Sequence, residues 1–362
     1  MEKYQKERYA GAAHTNRIRL SIPENGKTVD VSNPEVSAFS KSYEEGISAI
    51  IPFKENRYAP LPVRFEWTGP AGTEKFVLAL SDNPKFIGGI TYTVKRKRFS
   101  VRIPFRSVTV YWKVYGVIKG RLYVSETFCF FLKSIPSEVF LNGVYNTRDI
   151  GGYKATTGKT VKMGTVYRGG DLDGITDAGK RVAKNVLKIR AVLDLRRANE
   201  GNASKKFSSL GREIKRVNEC GCMYTGYHRN GGVIAGKDGI DTPEGAGKLV
   251  RELLFFADKN NFPAYVHCVL GRDRTGTLII FLLGICGVEK RDITYDYELS
   301  FLSEKGRDAD TDVKKILNYA ENVFAYVDSF PGETLQDKMT DLLLKAGMKK
   351  TQIAKIRKNL LA

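Results

Sequence analysis

Five residues separate Cys268 from Arg274 in the segment His267-Cys268-Val269-Leu270-Gly271-Arg272-Asp273-Arg274-Thr275-Gly276. No other stretch constrains the fold as much. The apolar run Ala264-Tyr265-Val266 leads into it, and Leu278-Ile279-Ile280-Phe281-Leu282-Leu283 follows it. That order predicts a strand, a tight loop and a helix. Such a loop converges backbone N–H groups on one point, and the helix N-terminus adds partial positive charge there. A phosphate dianion is the ligand it suits. The same field favours a thiolate at Cys268, and a thiolate can attack phosphorus.

The segment suggests roles for its members. Cys268 is the candidate nucleophile. Arg274 can hold two equatorial phosphate oxygens in a bidentate fork, a geometry that lysine does not reproduce. Val269, Leu270, Gly271 and Arg272 form the loop around the substrate phosphate, closed by Thr275 and Gly276. Gly271 and Gly276 allow a tight turn and close approach. Thr275 can donate to the cysteine sulfur and ease its departure. His267 is expected to hydrogen-bond around the loop and fix the Cys268 backbone. The leaving oxygen also needs a proton. Asp273 is one source. Asp238 and Asp241, in the glycine-rich stretch Gly231 to Gly245, are another, carried on a flap. The residues by themselves leave both open.

With 362 residues the chain has room for two domains. Residues 1–135 read as β-structure. Val63-Arg64-Phe65-Glu66-Trp67 alternates apolar and polar side chains. Lys75 to Leu80, Thr91 to Val94, Val108 to Trp112 and Leu122 to Phe130 are further strand-like runs. Short strands between turn signals suggest a β-sandwich, with Trp67 and Trp112 in its core. Ser134-Ile135-Pro136-Ser137 reads as a linker. Beyond it, Ala191-Val192-Leu193-Asp194-Leu195 suits a buried parallel strand. Gly174 to Leu187, Ala246 to Asp258 and the stretch from Asp312 onward carry helical spacing, the last through Ile316, Tyr319, Val323 and Val327. Strand alternating with helix predicts an α/β domain over 136–362, a mostly parallel sheet flanked by helices.

A net charge of +19 suits anionic partners such as phosphorylated proteins or phosphoinositides. No nucleic-acid module is recognisable, so no nucleic-acid partner is expected. The basic runs Lys95-Arg96-Lys97-Arg98 and Lys355, Arg357, Lys358 read as solvated faces, with contact to an anionic membrane as the alternative. Five cysteines and three histidines give neither a disulfide framework nor a metal-ligand set, and Cys220-Gly221-Cys222 lacks a second pair. Neither metal nor cofactor is expected. No apolar stretch is long enough to span a bilayer, and the first residues lack an apolar signal core. A soluble cytoplasmic protein is the expectation, with leaderless export left open.

Several segments carry a family resemblance. His267 to Gly276 resembles the His-Cys-x-x-Gly-Lys/Arg-Asp-Arg-Thr-Gly loop of the atypical bacterial tyrosine phosphatases, also called lipid-like or triple-specificity phosphatases. Asn146-Thr147-Arg148-Asp149-Ile150-Gly151-Gly152-Tyr153 is similar to that family's opening Asn-x-Arg-Asp-x-Gly-Gly. Val166-Tyr167-Arg168-Gly169-Gly170 is similar to its Tyr-Arg-Ser-Gly segment, and Val192-Leu193-Asp194-Leu195-Arg196 to its Asp-Leu-Arg strand. Leu342 to Leu361 resembles its closing helix pair. The resemblance covers about residues 140–362. The part before it resembles a fibronectin type III or immunoglobulin-like module, on Trp67, the later Tyr-Trp-Lys-Val strand and the strand count.

The resemblance implies a cysteine-phosphatase fold and phosphomonoester hydrolysis through a cysteinyl-phosphate. Phosphotyrosine protein is the first substrate class, with phosphoserine/threonine protein or a phosphoinositide as alternatives. The family's loop aspartate is its general acid, which gives Asp273 that role. Its loop basic residue, usually Lys, helps recognise the substrate; here it is Arg272. Gly169 stands where a small hydroxyl residue is usual. The mobile Trp-Pro-Asp loop of conventional tyrosine phosphatases is absent, since both tryptophans lie in the first half. Asp194 is expected to orient the loop or pair with an arginine, and Arg148 and Asp149 to form scaffold ion pairs. A phosphate-binding pseudoenzyme that recruits partners through the sandwich is the rival reading. The intact Cys268, Asp273, Arg274 and Thr275 argue against it.

Overall fold

A computed structural model describes residues 13–14, 17–44, 59–133, 137–224, 239–303 and 313–362. Two compact units emerge. One comprises Met1–Asn33, Pro60–Pro136 and Asn185–Leu187; the other comprises Pro34–Ala59, Ser137–Lys184 and Lys188–Ala362.

The first unit carries strands β1 (Ala13–His14), β2 (Arg19–Ile22), β3 (Lys27–Val29), β4 (Val63–Thr68), β5 (Lys75–Ser81), β6 (Ile90–Val94), β7 (Arg98–Val101), β8 (Thr109–Ile118), β9 (Arg121–Val124) and β10 (Phe128–Leu132). One sheet runs β1-β9-β8-β10-β3, with β5 pairing β8 and β6 pairing β5. The other runs β2-β4-β7. Phe65 and Trp67 of β4 share a single core with Leu78, Leu80, Val110, Trp112, Val114 and Phe130 of the larger sheet. That shared core makes the unit a β-sandwich. Phe65 meets Trp112 edge-on at 5.1 Å between ring centroids, a favoured aromatic geometry. Both tryptophans are buried, as the alternation implied.

The apolar run at Leu122 to Phe130 is not one strand. It breaks at Ser125, whose buried Oγ accepts from the Val114 amide at 3.0 Å and donates to the Glu126 carbonyl at 2.7 Å. A side chain thus satisfies backbone groups where the ladder ends. The basic residues Lys95, Arg96 and Lys97 form the exposed turn between β6 and β7.

The second unit begins with a helix that the β-like reading of residues 1–135 lacked, α1 (Pro34–Glu44). Its Phe39 is fully buried and stacks on Tyr295 at 5.3 Å. The strands are β11 (Arg148–Asp149), β12 (Val166–Gly169), β13 (Ala191–Asp194), β14 (Lys215–Asn218) and β15 (Ala264–His267), in the order β11-β12-β15-β13-β14. All pairings are parallel except β11 with β12. Central β15 is buried throughout, which explains its unbroken apolar run. His267 lies opposite Gly169 on one side and Asp194 on the other. The carboxyl ends of three strands therefore meet at one level, where parallel sheets place ligands.

The helices are α2 (Asp177–Arg181), α3 (Pro243–Leu254), α4 (Asp273–Ile285), α5 (Lys290–Glu298), α6 (Val313–Asp328), α7 (Leu335–Lys345) and α8 (Lys350–Leu360). From Thr275 to Ile285, α4 is buried on every side, so its sequence is apolar all round. Gly284 lets α7 approach it: a Cβ there would come within 2.1 Å of the Met339 sulfur. Val323, Val327, Met339, Leu342, Leu343, Ile353, Ile356 and Leu360 are buried in the same core. The side chains of Ile316 and Tyr319 lie outside the described residues. Among the described residues no helix is long and apolar enough to cross a membrane.

Candidate active site

The loop between β15 and α4 is held by its carbonyls. His267 Nδ1 donates to the Cys268 carbonyl at 2.9 Å. The Asp171 amide takes the Val269 carbonyl at 2.9 Å, and Asn146 Nδ2 takes that of Leu270 at 3.0 Å. Arg168 Nη2 takes that of Gly271 at 2.7 Å, and the Gly276 amide that of Arg272 at 2.9 Å. In a trans peptide the N–H points opposite the C=O. The amides of residues 269–272 are therefore turned away from these donors, toward the side where an anion would sit. Gly271 adopts φ +69°, and a Cβ on it would come within 2.2 Å of the Gly169 carbonyl group. Only glycine fits there.

Gly169 has its own packing reason. A Cβ at this position would lie 2.2 Å from Tyr265 Oη and 3.0 Å from Thr147 Oγ1. Tyr265 Oη already donates to the Gly170 carbonyl at 2.8 Å. The tyrosine hydroxyl occupies the space a serine would need.

Cys268 is 2% exposed at the end of β15. It interacts electrostatically with Arg274, in the first turn of α4, so the fold brings the two ends of the loop together. Arg274 is anchored by Glu200: Nη1 donates to Oε2 at 2.6 Å and Nη2 to Oε1 at 2.8 Å, while Nη1 also reaches the Leu195 carbonyl at 3.0 Å. A guanidinium has five donors, so this clamp leaves others for two phosphate oxygens. Burial opposes ionisation of Glu200, but the Arg274 guanidinium outweighs it and holds the carboxyl below its ordinary value. Thr275 Oγ1 is buried and has no hydrogen-bond partner among the described residues. The expected donation to the Cys268 sulfur is not formed here.

His267 is buried, and burial lowers its imidazole below the usual value. Because a carbonyl only accepts, Nδ1 carries the proton and Nε2 faces Asp194 Oδ2 at 3.8 Å. Asp194 both pairs with arginines and backs the loop. It accepts from Arg196 at 3.0 and 2.9 Å and from Arg216 at 2.8 Å. Burial opposes its charge, yet the Arg196 and Arg216 guanidinium groups hold the carboxyl at about 2.

Beneath Gly271 lies a buried ion network. Asp296 of α5 accepts from Arg148 Nε at 2.9 Å and from Arg168 Nη1. Arg148 also reaches Asn146 Oδ1 at 2.6 Å and Ser300 Oγ at 3.1 Å. Burial works against the Asp296 carboxylate, but the two guanidinium groups hold it below the carboxylate range. Arg148 pairs with Asp296 inside the fold. Asp149 accepts the amides of Gly151 at 2.8 Å and Gly164 at 2.6 Å, fixing the turn after β11.

Asp273 opens α4 and is partly exposed. Its Oδ1 accepts from Tyr224 Oη at 3.0 Å and from Arg272 Nε at 3.1 Å. Arg272 is buried and lies over the Phe301 ring at 5.8 Å. It is turned onto Asp273 rather than outward. Asp238 lies outside the described residues. Asp241 is described, just before α3, and acts electrostatically on Tyr326 of α6.

Reading the sequence did not assign Asn146, Arg168, Glu200, Tyr224, Asp296 or Tyr297. Asn146 and Arg168 were within reach, because both sit in segments already singled out, and Arg168 is a charge inside an apolar strand. Glu200, Tyr224, Asp296 and Tyr297 reach the site from distant loops and helices with no local signature.

Residues 139–362 match the sequence model of the tyrosine phosphatase family. Among solved structures, the core catalytic domain of the PP-IP phosphatase SIW14 from S. cerevisiae, in complex with citrate, is 18% identical. That match covers 45% of this chain and 86% of the other, with a TM-score of 0.28. None of the curated proteins compared is a match.

Proposed function

The chain belongs to the tyrosine phosphatase family, and from that premise we propose that it hydrolyses phosphomonoesters through a cysteinyl-phosphate, with phosphotyrosine protein as substrate class. The observation that carries the reading is the loop itself. Cys268 and Arg274 flank a turn whose carbonyls are fixed on His267, Asp171, Asn146 and Arg168. Its amides are preorganised for the three oxygens of a phosphoryl group.

Cys268 sulfur forms a bond to phosphorus as the bond to the ester oxygen breaks. The leaving oxygen takes that electron pair and a proton from Asp273. Water then attacks phosphorus, the S–P bond breaks with its electron pair returning to sulfur, and Asp273 takes the water proton. The sum is ester plus water giving alcohol plus phosphate. Arg274, oriented by Glu200, binds phosphate oxygens through both steps.

The test uses the whole chain on phosphotyrosine, phosphoserine and phosphothreonine peptides and on phosphoinositides. Acid quenching during turnover should trap phosphate on the peptide that contains Cys268. Preferred hydrolysis of the phosphotyrosine peptides supports the reading. Preference for a phosphoinositide overturns the substrate class, and absence of any trapped phosphate with a slow second step overturns the intermediate.

A further inference from the structure

We propose that Tyr224 is a positioning residue for Asp273, fixed in turn by Tyr297, and that this chain of hydroxyls commits Oδ2 of Asp273 to proton transfer. The inference deepens the reading above and rests on Asp273 as the acid. Tyr224 Oη lies 3.0 Å from Asp273 Oδ1 and 2.7 Å from Tyr297 Oη. The two tyrosine rings cross at 90° with centroids 6.1 Å apart. Tyr297, fully buried in α5, also packs against α4: a Cβ on Gly276 would lie 2.9 Å from its ring.

Proton counting orders the chain. With the transferable proton on Oδ2, Oδ1 can only accept, so the Tyr224 proton points to Asp273. The Tyr224 oxygen is then the acceptor, and Tyr297 donates to it. Burial raises both hydroxyls well above the ordinary phenol value, so both remain donors over the working pH range. Oδ1 of Asp273 takes Tyr224 and Arg272 Nε, whereas Oδ2 meets only Arg272 Nη2, at 3.4 Å, among the described residues. One oxygen is anchored and the other is left to exchange a proton with the leaving group.

The test compares phenyl phosphate, whose leaving oxygen needs a proton, with nitrophenyl phosphate, which departs with little help. Full-length Tyr224→Phe keeps the ring and removes the donor. It should lower kcat on phenyl phosphate roughly tenfold, with KM unchanged and a smaller effect on nitrophenyl phosphate. In an Asp273→Asn background the same change should cost nothing further. Tyr297→Phe should give the same pattern more weakly, and it carries the test if Tyr224→Phe does not fold. Equal losses on both substrates, or losses that add to those of Asp273→Asn, would overturn the positioning role. So would an unaffected Tyr224→Phe beside a damaged Asp273→Asn. Intact phenyl phosphate hydrolysis by Asp273→Asn would overturn the acid assignment itself, and this proposal with it.

Discussion

Arg168 Nη2 donates to the Gly271 carbonyl at 2.7 Å from a fully buried side chain whose other terminal nitrogen is held by Asp296. One guanidinium therefore ties the phosphate loop to α5. Lysine carries the charge but not the fork, so it cannot serve both acceptors. Arg168→Lys is expected to fold and to lose on the order of tenfold in kcat/KM on an aryl phosphate, as the loop amides lose their fixed direction. Steady-state kinetics beside a thermal melt check this. Unchanged kcat/KM would mean the loop holds its shape without Arg168.

Glu252 predicts how stability depends on pH. It is fully buried in α3, where Oε1 accepts the Cys222 amide at 2.7 Å and Oε2 faces the Cys222 sulfur at 3.9 Å. Burial pushes its carboxyl up to about 8 from an ordinary 4.5. Between those values the native state holds a proton that the unfolded chain has released. Stability should therefore fall as pH rises through that window and level off above it. Glu252→Gln keeps an acceptor for the Cys222 amide and removes the titration. At about pH 9 it should exceed the parent by on the order of 5 kcal/mol, and at about pH 5 it should differ little. Urea unfolding at both pH values decides, and a parent-like pH dependence in the variant would refute the assignment.

Phe39 makes α1 part of the catalytic unit. It is fully buried against Tyr295, which lies one residue before Asp296. Phe39→Ala should destabilise that unit by about 3–5 kcal/mol, the usual cost of emptying an aromatic core site. Denaturant unfolding followed by loss of phosphatase activity measures it. A change below about 1 kcal/mol would show that α1 is not anchored there.

What could be read from the sequence was what is local. The Cys268–Arg274 spacing, the apolar β15 run before it and the apolar α4 run after it fixed the strand, loop and helix, because each depends on neighbours in the chain. The sandwich strands were legible from alternation at Val63 to Trp67, and Ser125 hid the break between β9 and β10 because one polar residue in an apolar run gives little warning. α1 was missed although Pro34 and Glu35 in its first turn and Lys41 in its last are local helix signals; what the sequence hides is that Phe39 packs on Tyr295, far along the chain. Glu200 reads as an ordinary loop acid and Asp296 as an ordinary helix acid. Only the folded sheet brings one to Arg274 and the other to Arg148 and Arg168.

Turnover by Cys268→Ser tests the central claim most directly. The loop cradle is backbone and Arg274, so the variant should still bind inorganic phosphate, seen as a raised Tm. The nucleophile is what it loses, and hydrolysis of nitrophenyl phosphate should drop at least roughly a thousandfold. Phosphate binding retained with turnover abolished is the expected result; turnover close to that of the parent would contradict a cysteine-dependent mechanism.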